Sequence, residues 1–219
     1  MPRIPRGALD GHVLHLLNRG NGRATVFHRA SDYRSFVQLL QDAKRRSGMC
    51  IYAFAVLPNH FHLVGRSPTA GALSAFMQWW LTSHVRRHHR AHVSSGHVWQ
   101  GRFKSFPVQE DSHLLTVLRY TLLNPVRANL AATAWEWPWT SLSFPDCIDP
   151  WPLSPPRDLS SWLREGVSEA DTVRMRQSLE RRTPFGAPTW QKEVAKRAGL
   201  ESTLQPRGRP PRRTDLSAG

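Results

Sequence analysis

The stretch Leu57-Pro58-Asn59-His60-Phe61-His62-Leu63-Val64 decides how this chain is read. Pro58-Asn59 is a turn signal between two apolar runs, Ile51 to Leu57 and His60 to Arg66, so the segment reads as a β-hairpin. Side chains alternate along a strand, so His60 and His62 project to one face while Phe61 points into a core on the other. Two imidazoles, roughly 7 Å apart at the backbone by strand rise, can close on a single divalent cation. The pair would equally suit two polar positions on an open sheet face, and 11 His in 219 residues leave room for a chance His-x-His. Its meaning depends on partners elsewhere in the chain.

Outward from the hairpin, the periodicity supplies a full topology. His12 to Asn18 reads as a buried strand that stops at the turn-rich Arg19-Gly20-Asn21-Gly22. Ser31-Asp32 offers an N-cap to a helix carrying Tyr33, Phe36, Val37, Leu39 and Leu40, which ends at Lys44-Arg45-Arg46 and Gly48. A second helix is predicted from Ala70 to Arg90, striped by Leu73, Phe76, Met77, Trp80, Leu81, His84 and Val85. Trp99-Gln100-Gly101-Arg102-Phe103 then leads into a strand from Lys104 to Gln109. Asp111-Ser112 caps a helix from His113 to Asn124, and Pro125 disfavours helical geometry at Asn124. The order β-α-β-β-α-β plus a helix predicts an α+β, ferredoxin-like split β-α-β fold with an antiparallel sheet. Both connecting helices would cover one face of the sheet, leaving the other free to hold a site with His60 and His62.

Beyond Trp135 the texture changes to Trp and Pro at close intervals, which predicts an irregular wrap. The expected organisation is a main domain over residues 1–145, an extension over 146–205 and a basic tail over 206–219. Helices are expected in the extension at Glu169 to Arg182 and Thr189 to Ala198. The tail, Pro206-Arg207-Gly208-Arg209-Pro210-Pro211-Arg212-Arg213, has the composition of a disordered segment. Its Arg207 and Arg209 could enter an A·T-rich minor groove, or touch phosphates without reading sequence.

Charge narrows the class of partner. With 30 Lys and Arg against 16 Asp and Glu the chain carries +14, mostly as Arg, which points to a polyanion and to nucleic acid before membrane. Cys50 and Cys147 are far apart and in no metal-type spacing, which excludes a zinc finger or disulfide framework and suits a reducing cytoplasm. No apolar run approaches the roughly 20 residues of a membrane span, and residues 1–11 lack the apolar core of a signal peptide.

Tyr is scarce, and one of the three stands apart. Tyr120 lies in Arg119-Tyr120-Thr121-Leu122-Leu123-Asn124-Pro125-Val126-Arg127-Ala128, where Tyr120 and Asn124 fall one helical turn apart on one face. On spacing alone this is also what a helix-face Tyr with its hydroxyl in water looks like.

Taken together, the motifs resemble a known family. Pro58 to Val64 is similar to the His-hydrophobe-His motif of the HUH endonuclease superfamily, and Tyr120 to Ala128 resembles the helix that carries the single tyrosine of its single-strand transposase branch. Val98 to Ser105 resembles a further segment of that branch. The Tyr-x-x-x-Asn-Pro-Val-Arg-Ala form and the basic Gly-Arg-Pro tail are most similar to the REP-associated tyrosine transposases, relatives of insertion-sequence transposases. The resemblance spans residues 8 to 145 and, loosely, the tail.

The resemblance implies that His60, His62 and the side-chain oxygen of Asn124 bind Mg²⁺ or Mn²⁺; insertion-sequence relatives carry Gln where this chain has Asn124. It implies that Tyr120 is the nucleophile, forming a 5′-phosphotyrosine and freeing a 3′-hydroxyl, with the metal polarising the phosphate. The implied partner is single-stranded or hairpin DNA, such as a REP-type palindrome. Arg86, Arg87, Arg90, Arg102, Lys104 and Arg127 are expected at phosphates, and Trp99 at a base. A bacterial cytoplasmic protein, associated with the nucleoid when on DNA and either monomer or homodimer, is expected. Two alternatives stay open: a replication initiator or relaxase with the same His pair, and a hairpin-binding protein that has lost cleavage.

Overall fold

The computed structural model describes residue 9 and residues 11–205. Its first part runs β1 (Val13–Arg19), α1 (Ala30–Ser47), β2 (Cys50–Leu57), β3 (His60–Arg66), α2 (Ala70–His92) and β4 (Lys104–Val108). The four strands form one sheet in the order β2-β3-β1-β4, with every neighbouring pair antiparallel. This is the split β-α-β plan read from the periodicity: β3 folds back on β2 through the Pro58-Asn59 turn and lodges against β1. Arg207 and Arg209 of the tail lie outside the described residues.

Strand alternation sorts the sheet into two faces. Leu14, Leu16, Phe54, Val56, Phe61 and Leu63 form one core with Phe36, Val37 and Leu40 of α1 and Phe76, Met77 and Trp80 of α2. α1 starts slightly before the expected cap: Arg29 stands at the N-cap, and Asp32, one turn in, accepts from the backbone N–H groups of His28 and Arg29. Gly48 ends the helix in the left-handed region, at φ 68°. In β3, Gly65 lets the Cys50 carbonyl approach closely, since a Cβ there would lie 2.4 Å from that oxygen. The β2 register shifts at the same place, between Ile51 and Ala53.

The second face corrects the sequence expectation, because it is not open. α3 (Ser112–Leu122) crosses it with Leu114, Val117 and Leu118, which pack against Val13, Val64, Phe106 and Val108. The same core takes in Trp162 and Leu163 of α5 (Leu159–Arg164), Met175 of α6 (Glu169–Arg181) and Phe185. Burying a side chain such as Phe185, 1% exposed, contributes roughly 1.5–3 kcal/mol. An uncovered sheet face with this many apolar residues would be costly in water, so the extension closes it.

Backbone and indole hydrogen bonds fasten that cover. Trp151 Nε1 donates to the Tyr52 carbonyl at 2.9 Å and Trp137 Nε1 to that of Val56 at 2.8 Å. Phe185 exchanges backbone bonds with Pro107 and Gln109, both at 2.9 Å, extending the β4 edge. The helix from Asp111 breaks at Leu123, and α4 (Asn124–Arg127) restarts with Pro125 in its first turn. α7 (Pro188–Ala198), ended by left-handed Gly199, and α8 (Glu201–Leu204) complete the described chain.

Candidate active site

At one end of the covered face a cavity stays accessible, and the chemistry gathers there. Across the ladder Arg19 pairs with His60 and Leu17 with both His62 and Lys104, so these side chains share a face. They line a cavity of about 390 Å³ together with Asn18, Gln100, Arg102, Tyr120, Asn124, Arg176, Leu179 and Glu180. Gln100 and Arg102 reach it because their segment is tied to the end of β1. Gln100 N–H donates to the Arg19 carbonyl at 2.7 Å, and Asn21 N–H to that of Val98 at 2.9 Å. Gly20 fits this junction for want of a side chain: a Cβ would lie 2.3 Å from the Ala24 carbonyl oxygen.

The two histidines stand with ring centroids 5.1 Å apart. Nδ1 of His60 donates to Asn59 Oδ1 at 2.7 Å, which leaves its Nε2 as the lone-pair nitrogen. Nδ1 of His62 is engaged with Nε2 of His15 at 3.0 Å, leaving Nε2 of His62 as the uncommitted ring nitrogen. Burial, and then the Arg19 charge, holds the His60 pKa down to about 4. Burial and then the neighbouring His15, His60 and Arg19 push His62 well below the ordinary imidazole value. Both rings are therefore neutral at pH 7, the state in which imidazole ligates a metal.

α3 delivers the phenol. Tyr120 is 6% exposed and its ring centroid lies 6.2 Å from that of His62. Burial raises its pKa, while Arg127, Arg176 and a hydrogen bond from Arg127 pull the other way. The Arg127 guanidinium lies 4.8 Å from the Tyr120 ring centroid and donates to Thr172 Oγ1 at 3.1 Å. Asn124, one turn on, donates its Nδ2 to the Tyr120 carbonyl at 3.4 Å, leaving Oδ1 available. Among the described residues no three His, Cys, Asp or Glu side chains form a metal site. The cavity offers two imidazoles, the amide oxygen of Asn124 and, from its α6 wall, the carboxylate of Glu180 as donors.

The structure brings His60, His62, Tyr120, Asn124, Arg102 and Lys104 together on one cavity, with Arg127 behind the phenol. Arg86, Arg87 and Arg90 are exposed at the C-terminal end of α2, in the helical layer across the sheet. Trp99 is a correction. It is 6% exposed and packed against Phe27, Phe36, Phe61 and His84, so it has no free ring face for a base. Arg119, next to the phenol in sequence, turns away to Glu165 and to the face of Trp162.

Sequence reasoning missed four contributors. Arg19 was visible only as part of a turn, and His15 only as a residue of a buried strand. Arg176 and Glu180 stand one turn apart on α6, and a helix there was expected without any sign that it would wall a site.

Comparison with known proteins agrees with this architecture. Among curated proteins no sequence match is found. A solved tyrosine transposase bound to a REP hairpin shares 17% identity with a TM-score of 0.53, over 73% of this chain and 96% of that one. A candidate transposase from Deinococcus radiodurans R1 shares 18% identity over 54% of this chain and 89% of its own, with a TM-score of 0.38. The family model described as transposase, IS200-like, matches residues 9–122, just over half of the 219. That span runs from the start of β1 to the end of α3 and so contains His60, His62 and Tyr120: the chain belongs to the IS200-like transposase family.

Proposed function

We propose that this transposase cleaves and rejoins single-stranded or hairpin DNA through Tyr120, with Mg²⁺ or Mn²⁺ held by His60, His62 and Asn124. The observation that carries the reading is the convergence of a buried phenol and two neutral imidazoles on one cavity rimmed by Arg19, Arg102, Lys104 and Arg176. When bound, the divalent cation supplies Lewis-acid polarisation of the scissile phosphate. The rim side chains receive the phosphate backbone and set affinity rather than sequence choice. Tyr120 attacks phosphorus as the bond to the 3′ oxygen breaks, so the phosphodiester energy is kept in a 5′-phosphotyrosine and the freed 3′-hydroxyl can reverse the step. Arg127 and Arg176 favour the phenolate against the burial that opposes it.

The 6.2 Å between the ring centroids of Tyr120 and His62 within one chain supports a Tyr120 that acts beside its own His60 and His62. A hairpin as the DNA form is supported by the fold likeness to a protein captured on one.

The test is a denaturing gel of purified protein with Mn²⁺ and labelled hairpin DNA taken from repeats flanking the gene. A slow-migrating covalent adduct is expected with wild type and none with Tyr120→Phe. Tight, salt-sensitive binding without an adduct in either protein would replace this reading by that of a non-cleaving hairpin binder.

A further inference from the structure

His15 takes no part in the chemistry above, yet it is the side chain that touches His62. It lies two residues before Leu17, the ladder partner of His62, and so stands diagonal to His62 on the same face. Its ring is 0% exposed and stacks on Phe106 at 4.9 Å with planes 24° apart. Its Nε2 lies 3.0 Å from Nδ1 of His62, while its own Nδ1 is buried with no hydrogen-bond partner. A buried nitrogen left unpaired costs stability, and an apolar ring would fill the same space against Phe106 without that cost. Packing alone therefore does not account for a histidine at this position.

We propose that His15 is a positioning residue that accepts from Nδ1–H of His62 and so supports the tautomer of His62 able to bind a divalent cation, an inference that rests on the metal reading of the site. The argument is a count of protons between two neutral rings. For Nε2 of His62 to offer a lone pair to a cation, the His62 proton must sit on Nδ1, and that N–H must donate to Nε2 of His15. His15 then carries its own proton on Nδ1, the nitrogen with no partner. In the other arrangement His15 donates from Nε2 to Nδ1 of His62, and the His62 proton moves to Nε2, where it blocks the cation. Each arrangement holds two ring protons, so the choice between them requires no net proton uptake.

The same logic is met differently at His60. There the acceptor is the amide oxygen of Asn59, which has no proton to give and fixes one tautomer outright. His62 instead has a partner that can either accept or donate. Stacking on Phe106 fixes the plane of His15, and through it the angle at which His62 faces the cavity.

The test titrates Mn²⁺ alone into the full-length wild type, His15→Phe and His15→Gln by calorimetry. His15→Phe keeps the stack and removes the acceptor, and should weaken Mn²⁺ binding about 10- to 100-fold. His15→Gln places an amide oxygen near the former Nε2 and should recover most of that loss. Imidazole nitrogen NMR of the wild type with Mg²⁺ should find both His15 and His62 protonated at Nδ1, a readout that requires no variant to fold. Wild-type affinity in a folded His15→Phe, or a His62 protonated at Nε2 with Mg²⁺ present, overturns the inference and leaves the metal reading standing. Failure of wild type itself to bind Mn²⁺ or Mg²⁺ overturns the metal reading and this inference together.

Discussion

Two groups of histidines in this molecule are equally crowded and chemically unlike. At the sheet end, the rings of His60 and His62 lie 5.1 Å apart; near the end of α2, those of His88 and His92 lie 4.6 Å apart, with His28 at 5.1 Å from His92. On α2 the rings pack against one another and none stands beside a phenol or an amide oxygen in a shared cavity among the described residues. His89 spans Ser94 Oγ and the Gly96 carbonyl, His92 Nε2 lies 3.2 Å from Asp32 Oδ2, and His84 is held among Phe27, Phe36 and Trp99. At the sheet end each Nδ1 is occupied while Nε2 is left over, beside a phenol and an amide oxygen. Proximity of imidazoles makes a cluster. What the uncommitted nitrogens face, a phenol and an amide oxygen in one cavity, separates a candidate site from a patch of surface.

The sharpest way to break this contrast is to remove one ring from each group. His60→Ala should lower Mn²⁺ affinity by about 100-fold or more, beyond the loss expected for an outer partner, and abolish the adduct. His88→Ala should leave both within about twofold. Parallel calorimetry and gels on the two variants decide it, and equal losses would erase the distinction.

A second comparison sits behind the phenol. Arg127→Ala removes the larger of the two cationic influences, Arg127 and Arg176, that oppose the burial-driven rise of the Tyr120 pKa, so single-turnover adduct formation should slow by about 100-fold. Its pH–rate profile should also move to higher pH, while Mn²⁺ affinity stays unchanged. An unaltered profile would mean that the guanidinium serves only to brace α4 against Thr172 of α6.

The effect furthest from the candidate site concerns His84, whose pKa burial lowers to about 3. The unfolded chain takes up this proton near pH 6.5, whereas the folded chain does so only near 3. Between those values the unfolded state binds one proton more, so stability rises with pH across the window and is lost on acidification through it. His84→Phe should flatten that dependence by about 1.4 kcal/mol per pH unit. Urea unfolding at several pH values within the window measures the slope, and an unchanged slope would show that His84 protonates without leaving the core.

The legible part of this fold was carried by short-range rules. Period-two alternation in Leu57 to Val64 placed His60 and His62 on one face and Phe61 in the core, and helical spacing joined Tyr120 to Asn124. The illegible part depended on which surfaces meet. Alternation puts His15 on the face of His62 but does not reveal the diagonal contact, because that depends on the β1–β3 register. Trp99 stood among Gln100 and Arg102 like a surface aromatic, yet the bridge between Gly20 and Trp99 draws it under the sheet end. The supposedly open face looked free because α3 was assigned no partner, and because the Trp- and Pro-rich stretch after Trp135 shows no period to betray the surface it covers.

The walls of the cavity come from distant parts of the chain: Leu17 to Arg19 on one side, Arg176 to Glu180 on the other. A ribosome therefore delivers the histidines and the tyrosine well before the helix that closes over them. Until residue 180 of the 219 has been made, the emerging polypeptide has a phenol and two imidazoles but no complete enclosure, and the apolar sheet beside them is still exposed. Closure of the candidate site is thus tied to the same late event that completes the hydrophobic core. A chain stopped before that point would lack the closed cavity and the completed core together.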